Sequence, residues 1–535
     1  MRLAVLVLTL LASLHGGISD ERLVGIFSPL KTERAALSPD GKRVGYTLRE
    51  GNEISVLIAD VDHPEHATTK ALAALDTLAT GYKHPAFVPA RAEVRWLAWI
   101  DNHRIALSTN LVYFAVRNSS RGAIYAFDAD GKNARELASG RHDRGNTEVI
   151  GLNPAVPSEI LFAFDDASYA VDAFTGKRRS VARADVEKFR EQTKTARAAT
   201  SEQRKSIQTQ LRQLLPTHEI DLLVDHHMER RVLALAQSPA DPGGFLVYEP
   251  ATKRLWDFLR RSNTTGAQRA LRTERFSIPA AESSTVSGLL VYPVDPRLQR
   301  APLLVWMSDQ PGRVADRRYR PEIQALAEFG FAVVLFDEPS SVKAQAPQPD
   351  RTSFFSHAID QLAAHFPVSR RSVAVIGKAA GARRAFEIAV QAPQLFRCIV
   401  AVAPTPDRLD PVVGLKFRFV EQLRKVDPPV VVAAFVCSWP GPPRSVAGWF
   451  LSGPPVQPSA FGPHAAARSA IAALERSGVD ARLRVETDDF RAERPEAIAA
   501  TFRAIESFLN EQLYRYSATL GEIEVLGSDV PLPQR

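Results

Sequence analysis

Up to about residue 270 the apolar residues of this chain come in short runs rich in β-branched and aromatic side chains, each closed by a polar turn. Gly122-Ala-Ile-Tyr-Ala-Phe127 runs into Asp128-Ala-Asp-Gly-Lys132, and Gly244-Phe-Leu-Val-Tyr248 into Glu249-Pro-Ala-Thr-Lys253. Ser38-Pro-Asp-Gly-Lys-Arg-Val-Gly-Tyr46 and Asp172-Ala-Phe-Thr-Gly-Lys177 repeat the theme. Asp-Gly and Thr-Gly between short strands signal hairpins, because these residues tolerate the backbone angles of tight turns. Their recurrence predicts an all-β unit over 20–272, propeller-like, complete or incomplete, with a blade count that such weakly alike repeats do not give. One stretch breaks the rhythm. Residues 184–215 hold no Gly or Pro and are rich in Gln, Lys, Arg, Glu and Ala, which predicts one or two inserted helices on a solvated surface.

From about Thr273 the pattern changes. Apolar strand-like runs at 286–292, 302–307, 331–336, 372–376, 398–402, 430–436 and 481–486 alternate with helical stretches at 322–329, 357–365, 383–392, 465–477 and 495–513. Strands apolar on both faces, alternating with helices, predict a doubly wound, mostly parallel sheet over 273–513. Residues 514–535 carry no clear pattern and read as a tail.

The chain's very start is different again. Arg2 precedes an apolar stretch, Leu3 to Leu14, followed by small residues at Gly16, Gly17 and Ser19. That length suits an export signal, not a membrane span, so residues 1–19 are expected to direct the protein out of the cytoplasm, secreted or periplasmic. No later segment has the unbroken apolar length of a membrane helix.

With 535 residues, a net charge of +7 and basic residues spread along the chain, a two-domain globular protein with no nucleic-acid partner is expected. Its two cysteines, Cys398 and Cys437, each sit in an apolar run and read as buried thiols, with a disulfide as the alternative in an oxidising compartment. Neither a metal-ligand cluster nor a phosphate-binding glycine loop is present in the sequence, so no metal and no cofactor are expected. Trp96, Trp99 and Trp256 are residues of a kind that stacks on sugars, though as strand residues they are expected in the core.

Several ordered segments resemble the prolyl oligopeptidase family of serine peptidases, a propeller followed by an α/β-hydrolase domain. They are Pro302-Leu-Leu-Val-Trp-Met-Ser-Asp-Gln-Pro-Gly312, the helix and strand from Glu322 to Val334, and Gln394-Leu-Phe-Arg-Cys-Ile-Val-Ala-Val402. The propeller half is similar only in its turns. The resemblance implies a nucleophile on a Gly-x-Ser-x-Gly elbow, a histidine base after the last strand, an acid to orient it, and backbone donors for an oxyanion.

At each of those positions the sequence departs. The elbow reads Gly377-Lys-Ala-Ala-Gly381, so Ala379 stands at the serine position, and a methyl group cannot attack a carbonyl. The segment matching the base reads Asp488-Asp-Phe490, and the one histidine after Ala379 is His464, a strand too early and a weak candidate. From Pro428 to Leu474 there is no Asp or Glu to orient a base, and Asp407 and Asp410 read as solvated loop residues. Ser308-Asp309-Gln310 replaces the His-Gly-Gly of the oxyanion motif, where Asp309 has the wrong charge to face an oxyanion. The expectation is a catalytically inactive, prolyl oligopeptidase-like protein holding a peptide or protein ligand in an interdomain cleft. The alternative is an active serine-type peptidase or esterase of non-standard site, drawing on Ser308, His464 or the Asp488–Asp489 pair.

Overall fold

In a computed structural model the chain falls into two compact units. The structure describes residues 18–28, 30–50, 53–63, 69–72, 89–113, 119–139, 147–164, 167–216, 218–223, 230–239, 241–261, 271–279, 285–294, 299–307, 318–337, 351–378, 380–402, 431–436, 481–485 and 495–514.

Among the described residues the first unit, within 29–265, holds four sheets of four strands each. They are β1–β4 (Ala35–Leu37, Arg43–Glu50, Glu53–Asp60, Thr69–Leu72), β5–β8 (Pro89–Trp99, Arg104–Tyr113, Ser119–Asp128, Arg135–Ser139), β9–β12 (Thr147–Leu152, Glu159–Phe164, Ala167–Asp172, Arg178–Val181) and β13–β16 (Glu219–Leu222, Val232–Ser238, Asp241–Glu249, Arg254–Arg260). Every sheet is a plain antiparallel meander, each strand paired with its neighbours in sequence, as blade-like repeats require. The turns do what their residues predict. Gly131 and Gly176 sit at φ +82° and +74°, the left-handed region glycine enters without penalty. Asp172 accepts from the backbone N–H groups of Phe174 and Thr175 at 3.1 and 2.7 Å.

Apolar faces join the meanders in series. Trp99, Ile105 and Phe127 pack with Ile54 and Val56 between the first two sheets, while Ile124 meets Phe162 and Val171 between the second and third. Val44 and Tyr46 of the first sheet meet Phe245 and Val247 of the fourth. After a first helix, α1 (Asp20–Phe27), two more come in sequence between the third and fourth sheets, α2 (Arg183–Ala199) and α3 (Ser201–Leu214). The insertion is helical as expected, but it is not merely a solvated element. Phe189 of α2 packs with Leu161 and Ala170, and Ile207 and Leu211 of α3 pack with Ile220 and Tyr248. Val186/Phe189 and Ile207/Leu211 are spaced three and four apart, a narrow apolar stripe that polar neighbours hide in the composition.

Among the described residues the second unit centres on one eight-stranded sheet. Its strands are β17 (Thr273–Pro279), β18 (Thr285–Val291), β19 (Ala301–Met307), β20 (Ala332–Phe336), β21 (Val368–Lys378), β22 (Cys398–Val402), β23 (Val431–Val436) and β24 (Ala481–Val485). They lie in the order β17-β18-β20-β19-β21-β22-β23-β24, and from β20 onward each neighbouring pair is parallel. The sheet is mostly parallel, as expected. β19, β20 and β22 are buried at every position, which is why they read as unbroken apolar runs. Helices α4 (Pro321–Glu328), α5 (Arg351–His365), α6 (Ala380–Gln391) and α7 (Pro495–Leu509) belong to this unit, α7 ending in a π-helical turn at Asn510–Tyr514. The expected helix at 465–477, Cys437 and the tail after 514 lie outside the described residues.

One element was not foreseen. Asp20–Phe27 forms a helix, α1, that packs on α4 and α7 of the sheet unit, although its sequence position suggested the β half. Leu23 and Ile26 are its buried residues.

Candidate functional site: the carboxyl edge of the mixed sheet

Parallel pairing gathers the carboxyl ends of the strands at one edge. Met307 pairs with Gly377, Lys378 with Val402, Val402 with Phe435, and Val436 with Val485. In open α/β sheets ligands bind at this edge, where strand-to-helix loops converge. The chain leaves it after Met307, after Lys378 and after Val485, just before Ser308 and Asp309, before Ala379, and three residues before Asp488. Those four positions and His464 themselves lie outside the described residues, as do Asp407, Asp410 and Asp489.

The elbow's frame is nonetheless defined. β21 ends at Lys378 and α6 starts at Ala380, so one residue, Ala379, connects strand to helix. A Cβ built on Gly377 would stand 2.2 Å from the carbonyl oxygen of Gly381 and 2.6 Å from the nitrogen of Ala382. The chain therefore doubles back so tightly that only glycine fits, which explains Gly377 by packing alone. Behind the turn, Ala382, Ala385, Phe386 and Ala389 of α6 are buried against the sheet.

Two charged groupings at this edge escaped the sequence reading. The Lys378 ammonium forms an ion pair with Glu322 at the start of α4, Lys378 being 40% exposed and Glu322 14%. The second is centred on Asp337, the residue after β20. Its carboxylate accepts from Ser287 Oγ and from Arg275, each at 2.8 Å, while its N–H donates to the Ser287 carbonyl at 2.9 Å. No sequence signal ties Ser287 to Asp337; the pairing of Gly288 with Phe336 does. Since β19 lies between β20 and β21, Asp337 and the elbow are two strand spacings apart, about 10 Å. A hydroxyl that donates to a carboxylate fixed by an arginine is held in one orientation.

Cys398, on β22, is fully buried, and burial pushes its thiol far up from the ordinary range, so it offers no nucleophile at neutral pH. Among the described residues no group of three or more His, Cys, Asp or Glu is placed to hold a metal. No helix among them is long and apolar enough to cross a membrane.

In the β unit the tryptophans serve packing. The Trp99 indole donates to the Ala36 carbonyl at 2.9 Å, Trp96 packs against the core of the second and third sheets, and Trp256 carries Arg231 and Arg254 over its ring. A surface concavity of about 530 Å³ is lined by His103, Arg104, Asp128, Asn133, Arg135 and Phe174. Its central charges satisfy each other, Arg104 donating to Asp128 at 2.6 Å and to the Ala173 carbonyl at 2.7 Å.

No protein-family model matches the chain, and no curated protein does. Among solved structures it is similar to an acylaminoacyl peptidase of Pyrococcus horikoshii, with 11% identity, 91% of this chain and 89% of that chain covered, and a TM-score of 0.46. It is also similar to puromycin hydrolase (14% identity, 94% and 71% covered, TM-score 0.39) and to a prolyl endopeptidase (16% identity, 92% and 68% covered, TM-score 0.38).

Proposed function

We propose that this protein is a catalytically inactive, prolyl oligopeptidase-like protein that binds a peptide or protein segment outside the cytoplasm. The observation that carries the reading is the elbow. Strand and helix are joined by one residue, the tight approach of Gly377 to Gly381 is kept, and the joining residue is alanine. A turn of this kind serves acyl transfer only when that residue supplies a nucleophile. Ala379, Asp488, Ser308 and Asp309 stand on this reading as degenerate positions, with His464 the weak candidate for a base. The domain plan that accompanies it is an export leader in the apolar start of the chain, a propeller-like β domain to about 272, a hydrolase-type domain to 513 and a C-terminal tail.

The carboxyl edge brings the ends of parallel strands beside the Lys378–Glu322 pair and the Asp337 carboxylate, which supports a place for holding an extended chain and leaving it intact. The test is intact-mass analysis after incubation with a fluorophosphonate probe, alongside binding of a fluorescent peptide library. No adduct together with saturable peptide binding is the expected result. A covalent adduct on any side chain of residues 273–513, or turnover of the peptides, would overturn the proposal. Ala379→Ser should still give no adduct, because on this reading a new hydroxyl has no base positioned to deprotonate it.

A further inference from the structure

The segment Ile18–Ser28 is bound into the mixed-sheet unit along its whole length. Ser19 caps α1: its Oγ accepts from the Arg22 N–H at 3.3 Å and its carbonyl accepts from Leu23 at 3.0 Å. One residue earlier, the Ile18 carbonyl accepts from Arg503 of α7 at 2.6 Å, and the same guanidinium holds Asp20 at 2.7 Å and Glu506 at 2.5 Å. Arg22 grips Glu328 of α4 through two nitrogens, at 2.5 and 2.8 Å, and the Glu328 side chain is only 4% exposed. Between these polar clamps Leu23 and Ile26 are buried, Phe27 lies 4.7 Å from Phe502, and the Tyr319 hydroxyl donates to the Ile26 carbonyl at 3.2 Å.

These contacts conflict with the simplest reading of the leader. Small residues at Gly17 and Ser19 favour removal of the leader after Ser19. A chain cut there loses the Ser19 cap and the Ile18 carbonyl that Arg503 holds. It also gains an α-ammonium on Asp20, at the end of a helix where positive charge is disfavoured and beside two arginines.

We propose that Ile18–Ser28 is an obligatory strap of the mixed-sheet unit, and that processing of the leader stops at or before the Gly17–Ile18 peptide bond. The step is an ordinary hydrolysis by an export peptidase: water adds across the bond, leaving a carboxylate on the leader and an amine on the retained chain. The processing limit rests on the export leader of the proposed function, whereas the strap stands whether or not the chain is exported or the carboxyl edge binds a peptide, and unfolding of purified chains tests it alone.

The experiment is N-terminal sequencing and intact-mass analysis of the protein recovered from cells that export it, paired with thermal unfolding of two purified chains running to Arg535, one beginning at Ile18 and one at Asp20. An N-terminus at residue 18 or upstream is expected. The Asp20 chain should unfold about 5 °C lower or fail to fold, and Ser19→Ala in the Ile18 chain should move the midpoint part of that way. A native N-terminus at Asp20 or beyond, or equal midpoints for the two chains, would overturn the proposal.

Discussion

Replacing Gly377 by alanine adds one methyl group at the tightest approach in the elbow. The new Cβ would lie 2.2 Å from the Gly381 oxygen, 2.3 Å from its carbonyl carbon and 2.6 Å from the Ala382 nitrogen, whereas ordinary contact begins near 3.4 Å. Relief requires the start of α6 to move off the end of β21 by about 1 Å, a shift opposed by native packing density. It has nowhere to go without loss, because Ala382, Ala385 and Ala389 are all fully buried. Overpacking of this kind costs about 1–3 kcal/mol, and the rigid backbone on the opposing side puts this site at the upper end. Alanine returns a fraction of that, about 0.4–1 kcal/mol, by restricting the unfolded chain. A net loss of about 2 kcal/mol follows, which moves a urea midpoint by about 1 M at the slope typical of a domain. The assay is urea unfolding of the full chain followed by tryptophan fluorescence and circular dichroism, with only the transition of the mixed-sheet unit expected to shift. A midpoint unchanged or raised would refute the claim that strand and helix meet here as closely as an elbow demands.

Other substitutions probe the rest of the molecule. Arg104→Met in the β unit removes a guanidinium that is only 3% exposed, leaves the Ala173 carbonyl without that donor and leaves Asp128 with the Asn133 amide alone, so the β unit should lose about 2–3 kcal/mol in denaturant titration. Phe189→Ala, at a residue 7% exposed, should cost about 3 kcal/mol and make α2 a site of early proteolysis, whereas a merely solvated helix would tolerate it. In a Cys437→Ser background Cys398 should react with a thiol reagent only as fast as the protein unfolds. Because burial raises the folded thiol's pKa, the unfolded chain releases this proton first. Stability is therefore undiminished below about pH 8.5 and declines above it by up to about 1.4 kcal/mol per pH unit, a loss that Cys398→Ala should abolish.

How much of this was legible in the chain depended on how local each signal was. β19, β20 and β22 could be read almost to the residue because strands covered on both faces are bare apolar runs. The hairpin turns were equally local, since Gly131 and Gly176 carry the turn geometry themselves. The burial of α2 and α3 was not legible, because two apolar residues per helix disappear among a surplus of charges. Nor was α1, whose partners Glu328 and Arg503 lie 306 and 483 residues away in sequence. At the carboxyl edge the alanine between the two glycines could be read from the motif, while the Lys378–Glu322 and Ser287–Asp337 pairs required the strand order, which no periodicity encodes.

The elbow also separates two things that a sequence motif joins. In Gly-x-Ser-x-Gly the glycines answer to backbone packing and the serine to chemistry. Here the packing demand is measurable: the space a Cβ needs at Gly377 is already occupied by the backbone of Gly381 and Ala382. That demand holds whatever residue follows Lys378, so a glycine pair around a strand-to-helix turn is no argument for an enzyme. The argument has to come from the residue between them and from a base within its reach. On both counts this chain offers alanine at 379 and, after it, one histidine placed before the last strand in sequence, and the proposal of ligand binding without turnover stands or falls with those two positions.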